Sequence, residues 1–275
     1  VPTSPRQPVF TSPPVVIGHR GLGEAAVAGQ PENCVASVLS AVRAGLGWVE
    51  LDVRRTADDR LVVLHHPTSD DGQWLSEMTG DQVAALGVPS LDEVLAAVPP
   101  EVGLDLDLKS SVEDASRPRE RTTAGLLAER LRAGTGDRPL LVTSFDAAAL
   151  LIVRELAPRA PLGLLTWYGF PFRKAVPMAA HLGLDAVVVE TTSFEVNPLD
   201  GVPLVRSPER QVAAAHEVGL EVVVWCPGPA ACVELVAAGV DAVIVDEAAA
   251  VLAALAAAAG KGEARRDGAA APRGA

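Results

Sequence analysis

The chain has 275 residues, 49% apolar and 21% charged, which supplies one large buried core and excludes a disordered protein. A formal charge of -12, from 23 Lys and Arg against 35 Asp and Glu, leaves no basic face to release counterions from a nucleic acid. Its three cysteines, Cys34, Cys226 and Cys232, form no CxxC pair and read as small core residues, and no run of about 18 apolar residues offers a stable membrane span.

In chain order, residues 1–14 carry five prolines and no apolar export core, so they read as a flexible lead-in. The cytoplasm is the expected location, with an export signal removed ahead of Val1 kept open because the chain starts without Met. From there short β-branched runs alternate with Ala- and Leu-rich helical stretches. Eight strands are expected: Val15 to Gly18, Trp48 to Val53, Gly103 to Lys109, Leu140 to Thr143, Leu162 to Thr166, Ala186 to Glu190, Glu221 to Cys226 and Ala242 to Asp246. Helices are expected at Val35 to Ala44, Gly125 to Arg132, Ala147 to Leu156, Ser207 to Val218, Ala230 to Ala238 and Ala248 to Ala259. This is an α/β pattern over one domain, residues 15–259, and it fits both a closed (β/α)8 barrel and an open doubly wound sheet. Residues 260–275, rich in Gly, Ala and Arg, read as a disordered tail.

One connection is too short for a crossover helix. Leu61 to His65 follows Trp48 to Val53 so closely that the two must form an antiparallel hairpin. A two-residue turn at Asp58 and Asp59 would set Ala57 opposite Arg60 and Asp52 opposite His65. A short insertion, residues 66–90, follows the hairpin near one end of the sheet.

The second strand carries Glu50 and Asp52 on one face and Val49, Leu51 and Val53 on the other. Two carboxylates sharing a low-dielectric face repel, so either one is protonated or a cation sits between them, a divalent metal being the simpler answer. Asp105, Asp107 and Lys109 alternate with Leu104, Leu106 and Leu108 in the same way, and such hard oxygen donors suit Mg²⁺ or Ca²⁺. His19-Arg20-Gly21 closes the first strand, where barrel enzymes place active-site residues, and His65 adds a second imidazole. Two imidazoles, two or three carboxylates, an Arg and a Lys make a site for a small-molecule phosphodiester. Glu190 and Asp246 also end strands but stay outside this set, and Trp74 reads equally as a cover over the site or a core anchor.

The order His19-Arg20-Gly21, Pro31-Glu32-Asn33, Glu50-Leu51-Asp52-Val53, Val62-Val63-Leu64-His65 and Asp107-Leu108-Lys109 resembles the glycerophosphodiester phosphodiesterase family. Ser144-Phe145-Asp146, Trp225, Gly239-Val240-Asp241 and Val245-Asp246 extend the match across residues 15–255. The resemblance implies a TIM barrel with catalytic His19 and His65. It further implies a divalent metal on Glu50, Asp52 and Asp107 with Glu32 close by, and substrate or phosphate contacts from Arg20, Lys109 and Trp225. Departures are Asp107 in place of the family's usual Glu, His66 in place of Asp, Cys34 and Cys226 in place of Thr, and a shorter insertion, which opens the site. The expected reaction is hydrolysis of a glycerophosphodiester to an alcohol and glycerol 3-phosphate. The alternatives are a phospholipase D or lyase forming a cyclic phosphate on the same barrel, and a ligand-binding barrel with weakened chemistry.

Overall fold

A computed structural model describes residues 7–23, 30–196 and 201–269, with side chains through residue 260. The elements run β1 (Val15–Gly18), α1 (Val35–Arg43), β2 (Trp48–Arg55), β3 (Leu61–Val63), α2 (Gly80–Ala85), α3 (Leu91–Ala97), β4 (Gly103–Leu108), α4 (Thr123–Ala133) and β5 (Leu140–Ser144). They continue with α5 (Ala147–Leu156), β6 (Leu162–Leu165), α6 (Phe172–His181), β7 (Ala186–Glu190), α7 (Pro208–Glu217), β8 (Glu221–Trp225), α8 (Pro229–Ala237), β9 (Ala242–Val245) and α9 (Ala248–Ala269). Eight of the strands are parallel, and pairing of Ile17 with Trp48 and Gly18 with Val49 joins β1 to β2. That pairing decides between the two architectures: the sheet is a closed (β/α)8 barrel. Among the described residues no helix is long and apolar enough to cross a membrane.

Strand alternation divides the core in two. Val49, Leu51 and Val53 of β2 and Leu104, Leu106 and Leu108 of β4 face outward into one cluster with helix residues such as Val38, Val94 and Leu127. Trp48 faces inward with Ile17, Leu141, Val188, Val223 and Ile244, filling the amino-terminal half of the barrel. Gly103 lies beside Trp48 because a Cβ there would meet the indole at 2.3 Å. Above this apolar floor the inward positions of β2 and β4 turn acidic, so the barrel is dry below and charged at its carboxyl-terminal mouth.

The hairpin register differs from the expectation by one residue. Val53 pairs with Val63, Arg54 with Val62 and Arg55 with Leu61, and the Leu64 amide donates to the Asp52 carbonyl at 3.0 Å. Thr56 and Arg60 flank a three-residue loop in which Asp59 takes a φ of +63°, the left-handed closing position of such loops. Asp52 therefore faces Leu64, and the strand ends at Val63, so His65 projects from the loop beyond it. Residues 66–90 fold over a small satellite core in which Leu75, Met78 and Val83 pack against Val62 of β3. Trp74 is 49% exposed, so it is no core anchor.

Both ends also depart from the sequence reading. Phe10 is 1% exposed and meets Trp48 edge to face at 5.0 Å, while the Val9 and Phe10 amides donate to the Glu221 carboxylate at 2.6 and 3.0 Å. The part of the lead-in that is described thus seals the barrel floor, because an aromatic ring gains more by covering Trp48 than the proline-rich backbone loses by being ordered. Residues 1–6 of the lead-in lie outside the described residues. At the other end α9 continues to Ala269, nine residues past Gly260, carried by the run of alanines whose helix propensity is highest; residues 270–275 lie outside the described residues.

Candidate active site at the carboxyl ends of the strands

A cleft of about 690 Å³ opens at the barrel mouth, and His19, Arg20, Glu50, Asp52, His65, Asp107, Lys109 and Trp225 all line it. Oxygens of Glu50, Asp52 and Asp107 lie within 4.8 Å of one another, and all three residues are buried. Burial, reinforced by Asp52 and Asp107, pushes the Glu50 carboxyl well above its ordinary range, and burial drives Asp107 up to about 6. Asp52 goes the other way. Burial works upward on it, but Lys109 and Arg20 together with His65 and Asn33 outweigh that and hold it down. Oδ1 of Asp107 is buried with no hydrogen-bond partner. Three carboxylates with an orphaned oxygen, two of them disfavoured as anions, fit the requirement of a hard divalent cation for oxygen donors.

Local sequence explains how these groups are held. Arg20 adopts φ +52°, which turns its amide onto Glu50 Oε2 at 3.0 Å and its guanidinium toward Asp52 at 3.2 Å. Gly21 follows at φ +102°, where a Cβ would meet Ser37 Oγ at 2.2 Å, so only glycine completes the turn. Asn33 and Asp52 bond reciprocally: the Asn33 amide donates to Oδ2 at 2.7 Å and the Asp52 N–H donates to Asn33 Oδ1 at 3.1 Å. Glu32 stands outside the three-carboxylate group and accepts from Arg20 at 2.7 Å. Lys109 reaches Asp52 at 2.9 Å, pairs closely with Asp107 and sits 5.5 Å over the Phe145 ring. One layer down, Asp105 is fully buried beside Thr143, which donates to it at 2.8 Å, and burial pushes it up to about 8.

The two imidazoles occupy contrasting surroundings. His19 Nδ1 lies 2.6 Å from Asp246 Oδ1, leaving Nε2 directed to Glu50 at 3.9 Å. Burial, the largest influence on His19, pulls it down, yet the Asp246 and Cys226 contacts prevail and push it up to about 9. His65 is pushed down to about 4, chiefly by burial, with Arg20, Lys109 and His66 acting the same way against Asp52. Its Nδ1 is buried without a partner, and its ring lies edge-on to His66 at 4.8 Å.

Some functional residues escaped the sequence reading. Arg54 continues the inward face of Glu50 and Asp52 and grips the His65 carbonyl with Nε at 2.9 Å and Nη2 at 2.6 Å. The period-two spacing 50, 52, 54 was the signal for it. Asp246, set aside as a strand-end acid, is the partner of His19. Phe145 stacks on Trp167 at 4.3 Å and Tyr168 meets Trp225 at 4.6 Å, forming an aromatic wall on one side of the mouth. The Trp225 indole N–H donates to the Thr166 carbonyl at 3.3 Å, which fixes the ring at the cleft. Ser144 and Asp146, beside Phe145, act in the scaffold: Ser144 Oγ donates to the Leu108 carbonyl at 2.7 Å and Asp146 caps α5.

Comparison with known proteins places this geometry in context. The model of the glycerophosphoryl diester phosphodiesterase family matches residues 19–250. A glycerophosphodiester phosphodiesterase of Caldanaerobacter subterraneus subsp. tengcongensis is 27% identical over 187 residues, 61% of this chain and 73% of that protein. Among solved structures, a glycerophosphodiester phosphodiesterase from Parabacteroides distasonis superposes with a TM-score of 0.73 at 22% identity, covering 89% of this chain and 98% of the other. An Oleispira antarctica phosphodiesterase, solved in complex with the product sn-glycerol-3-phosphate, gives 0.72 at 24% identity, covering 88% and 97%.

Proposed function

Because the chain belongs to the glycerophosphoryl diester phosphodiesterase family, we propose that it hydrolyses glycerophosphodiesters to an alcohol and glycerol 3-phosphate in a metal-dependent reaction with His19 and His65 as the acid–base pair. Membership makes it an enzyme, a glycerophosphodiester phosphodiesterase of the phosphoric diester hydrolase class. The observation that carries the finer reading is the convergence of Glu50, Asp52 and Asp107 oxygens within 4.8 Å of one another in a cleft that both imidazoles line.

Glu50, Asp52 and Asp107 are the residues that would hold a divalent metal, and such an ion, when bound, supplies charge neutralisation and polarisation at the phosphoryl oxygens. Arg20 and Lys109 add fixed positive charge toward the same phosphate, each already braced by carboxylates that keep its head group in place. Glu32 acts through Arg20, whose guanidinium it orients. One imidazole accepts a proton from the attacking water and the other gives one to the departing alkoxide. The opposite surroundings of the two rings, one bridged to a carboxylate and one desolvated among cations, support that division of labour. Trp225 and the neighbouring aromatics form a wall for the alcohol or the glycerol carbons.

The test is a screen of glycerophosphodiesters with enzyme stripped by EDTA and then given Mg²⁺ or Ca²⁺. Expected is no turnover after EDTA, recovery with either ion, and glycerol 3-phosphate as the phosphorus-containing product. Turnover that is indifferent to EDTA refutes the metal dependence, and a cyclic phosphate in the phosphorus NMR spectrum replaces hydrolysis by a lyase reaction.

A further inference from the structure

A second set of metal-binding atoms converges beside the three carboxylates, on the far side of the His19 ring. His19 Nδ1, Cys226 Sγ and a carboxylate oxygen of Asp246 lie within 4.8 Å of one another. Sγ is 3.6 Å from Nδ1, and Asp246 Oδ1 is 2.6 Å from it. The three residues follow β1, β8 and β9, which are consecutive in the barrel, so the sheet itself brings them together. Cys226 holds a φ of +51°, a left-handed conformation unfavourable for a residue with a Cβ, and the Cys226 amide is tied to the Ile244 carbonyl at 2.8 Å. The thiol is therefore fixed against His19 by the backbone.

Tetrahedral zinc, with sulfur at about 2.3 Å and nitrogen at about 2.0 to 2.1 Å, separates those two ligands by about 3.6 Å. That is the spacing between Cys226 and His19. Nitrogen and carboxylate oxygen around the same ion stand about 3.4 Å apart, so Asp246 has to withdraw by about 0.8 Å. Its side chain is 44% exposed, which gives it room to do so. A thiolate, an imidazole and a carboxylate with the fourth position left to water suit zinc, whereas Mg²⁺ and Ca²⁺ prefer the all-oxygen group at Glu50, Asp52 and Asp107. The two neighbouring clusters sort ions by donor chemistry.

We propose that His19, Cys226 and Asp246 form a zinc site whose occupation takes the Nδ1 atom of His19 and silences the enzyme. Cys226 enters as the thiolate and His19 gives up the Nδ1 proton it shares with Asp246, both protons passing to solvent, so that the Nδ1 lone pair freed in this way is committed to the ion. The effect on turnover rests on the reading of His19 as an acid–base group; zinc binding does not.

The experiment uses untagged protein in millimolar Mg²⁺, which keeps the carboxylate group filled, titrated with Co²⁺ as a spectroscopic probe and then with Zn²⁺. Expected is about one equivalent of tetrahedral cobalt with a thiolate-to-metal absorption in the near ultraviolet, displaced by zinc, lost in Cys226→Ser and retained in Cys34→Ser. Saturating zinc is expected to lower hydrolysis at least tenfold in the parent enzyme and less than twofold in Cys226→Ser, each relative to its own zinc-free rate. Absence of the sulfur-dependent absorption in the parent protein, or its survival in Cys226→Ser of unchanged melting temperature, overturns the site. A Cys226-dependent absorption with hydrolysis untouched keeps the site and overturns the role of His19 in turnover.

Discussion

Removing the Asp246 carboxylate tests whether the contact with His19 serves the reaction. The bond is short, 2.6 Å, and joins an acid to a ring that, as a member of the proposed acid–base pair, would become or stay cationic during proton transfer. Hydrogen bonds to charged groups contribute about 1.5 to 3 kcal/mol. Because the Asp246 side chain is 44% exposed, water competes for both partners and the lower end applies. About 1.5 kcal/mol of lost stabilisation in the transition state is about a tenfold fall in kcat for Asp246→Ala. Asp246→Asn keeps an acceptor oxygen of roughly half the strength, so about threefold is expected. Steady-state kinetics at saturating metal separate this from a binding defect, since KM should hardly move. The double variant His19→Ala, Asp246→Ala should be no slower than His19→Ala alone, because the carboxylate then has nothing to act upon. An Asp246→Ala enzyme within twofold of the parent kcat, or one in which the loss persists undiminished on the His19→Ala background, refutes the reasoning.

Other predictions follow from the same geometry. His19→Ala and His65→Ala should each lower kcat by about 10² to 10⁴ with little change in melting temperature, and retention of near-parent kcat by either retires that ring from the acid–base pair. Phe10→Ala removes a buried ring from the barrel floor and should cost about 3 to 5 kcal/mol. At about 2 to 4 °C per kcal/mol for a domain of this size, the melting temperature measured by circular dichroism should fall by about 6 to 20 °C. Trp167, 65% exposed and stacked on Phe145, should when changed to Ala raise KM about 2- to 12-fold for substrates with an apolar alcohol while leaving the melting temperature in place.

Where side chains alternate strictly, the fold and the site were legible. Val49, Leu51 and Val53 against Glu50 and Asp52 announced a strand with an apolar back and an acidic front, and β4 repeated the pattern. Barrel closure, implied by the ordered family motifs, was not legible in periodicity, because it rests on two residue pairs between β1 and β2 that leave no periodic trace. The hairpin register slipped by one because Asp59 closes the loop in a left-handed conformation, which an acidic residue tolerates but does not advertise. Phe10 was hidden among prolines: a single aromatic carries no period, and its partner Trp48 is 38 positions away. Asp246 looked like any strand-end acid until β1 and β9 came together and set it against His19. Cys226 read as a core residue for the same reason, since only the adjacency of β1, β9 and β8 gives its thiol a neighbour.

The excursion after β2 has a consequence for how such an enzyme diversifies. His65 is carried by a loop that leaves the barrel, is gripped by Arg54 and is followed by a segment whose Leu75, Met78 and Val83 pack together against Val62 of β3. Residues 66–90 behave as a cassette plugged into the rim, while the cations, carboxylates and His19 stay with the frame. Swapping that cassette between relatives would retune which alcohols are admitted, and graft boundaries just after His65 and just before α3 leave the barrel strands uncut.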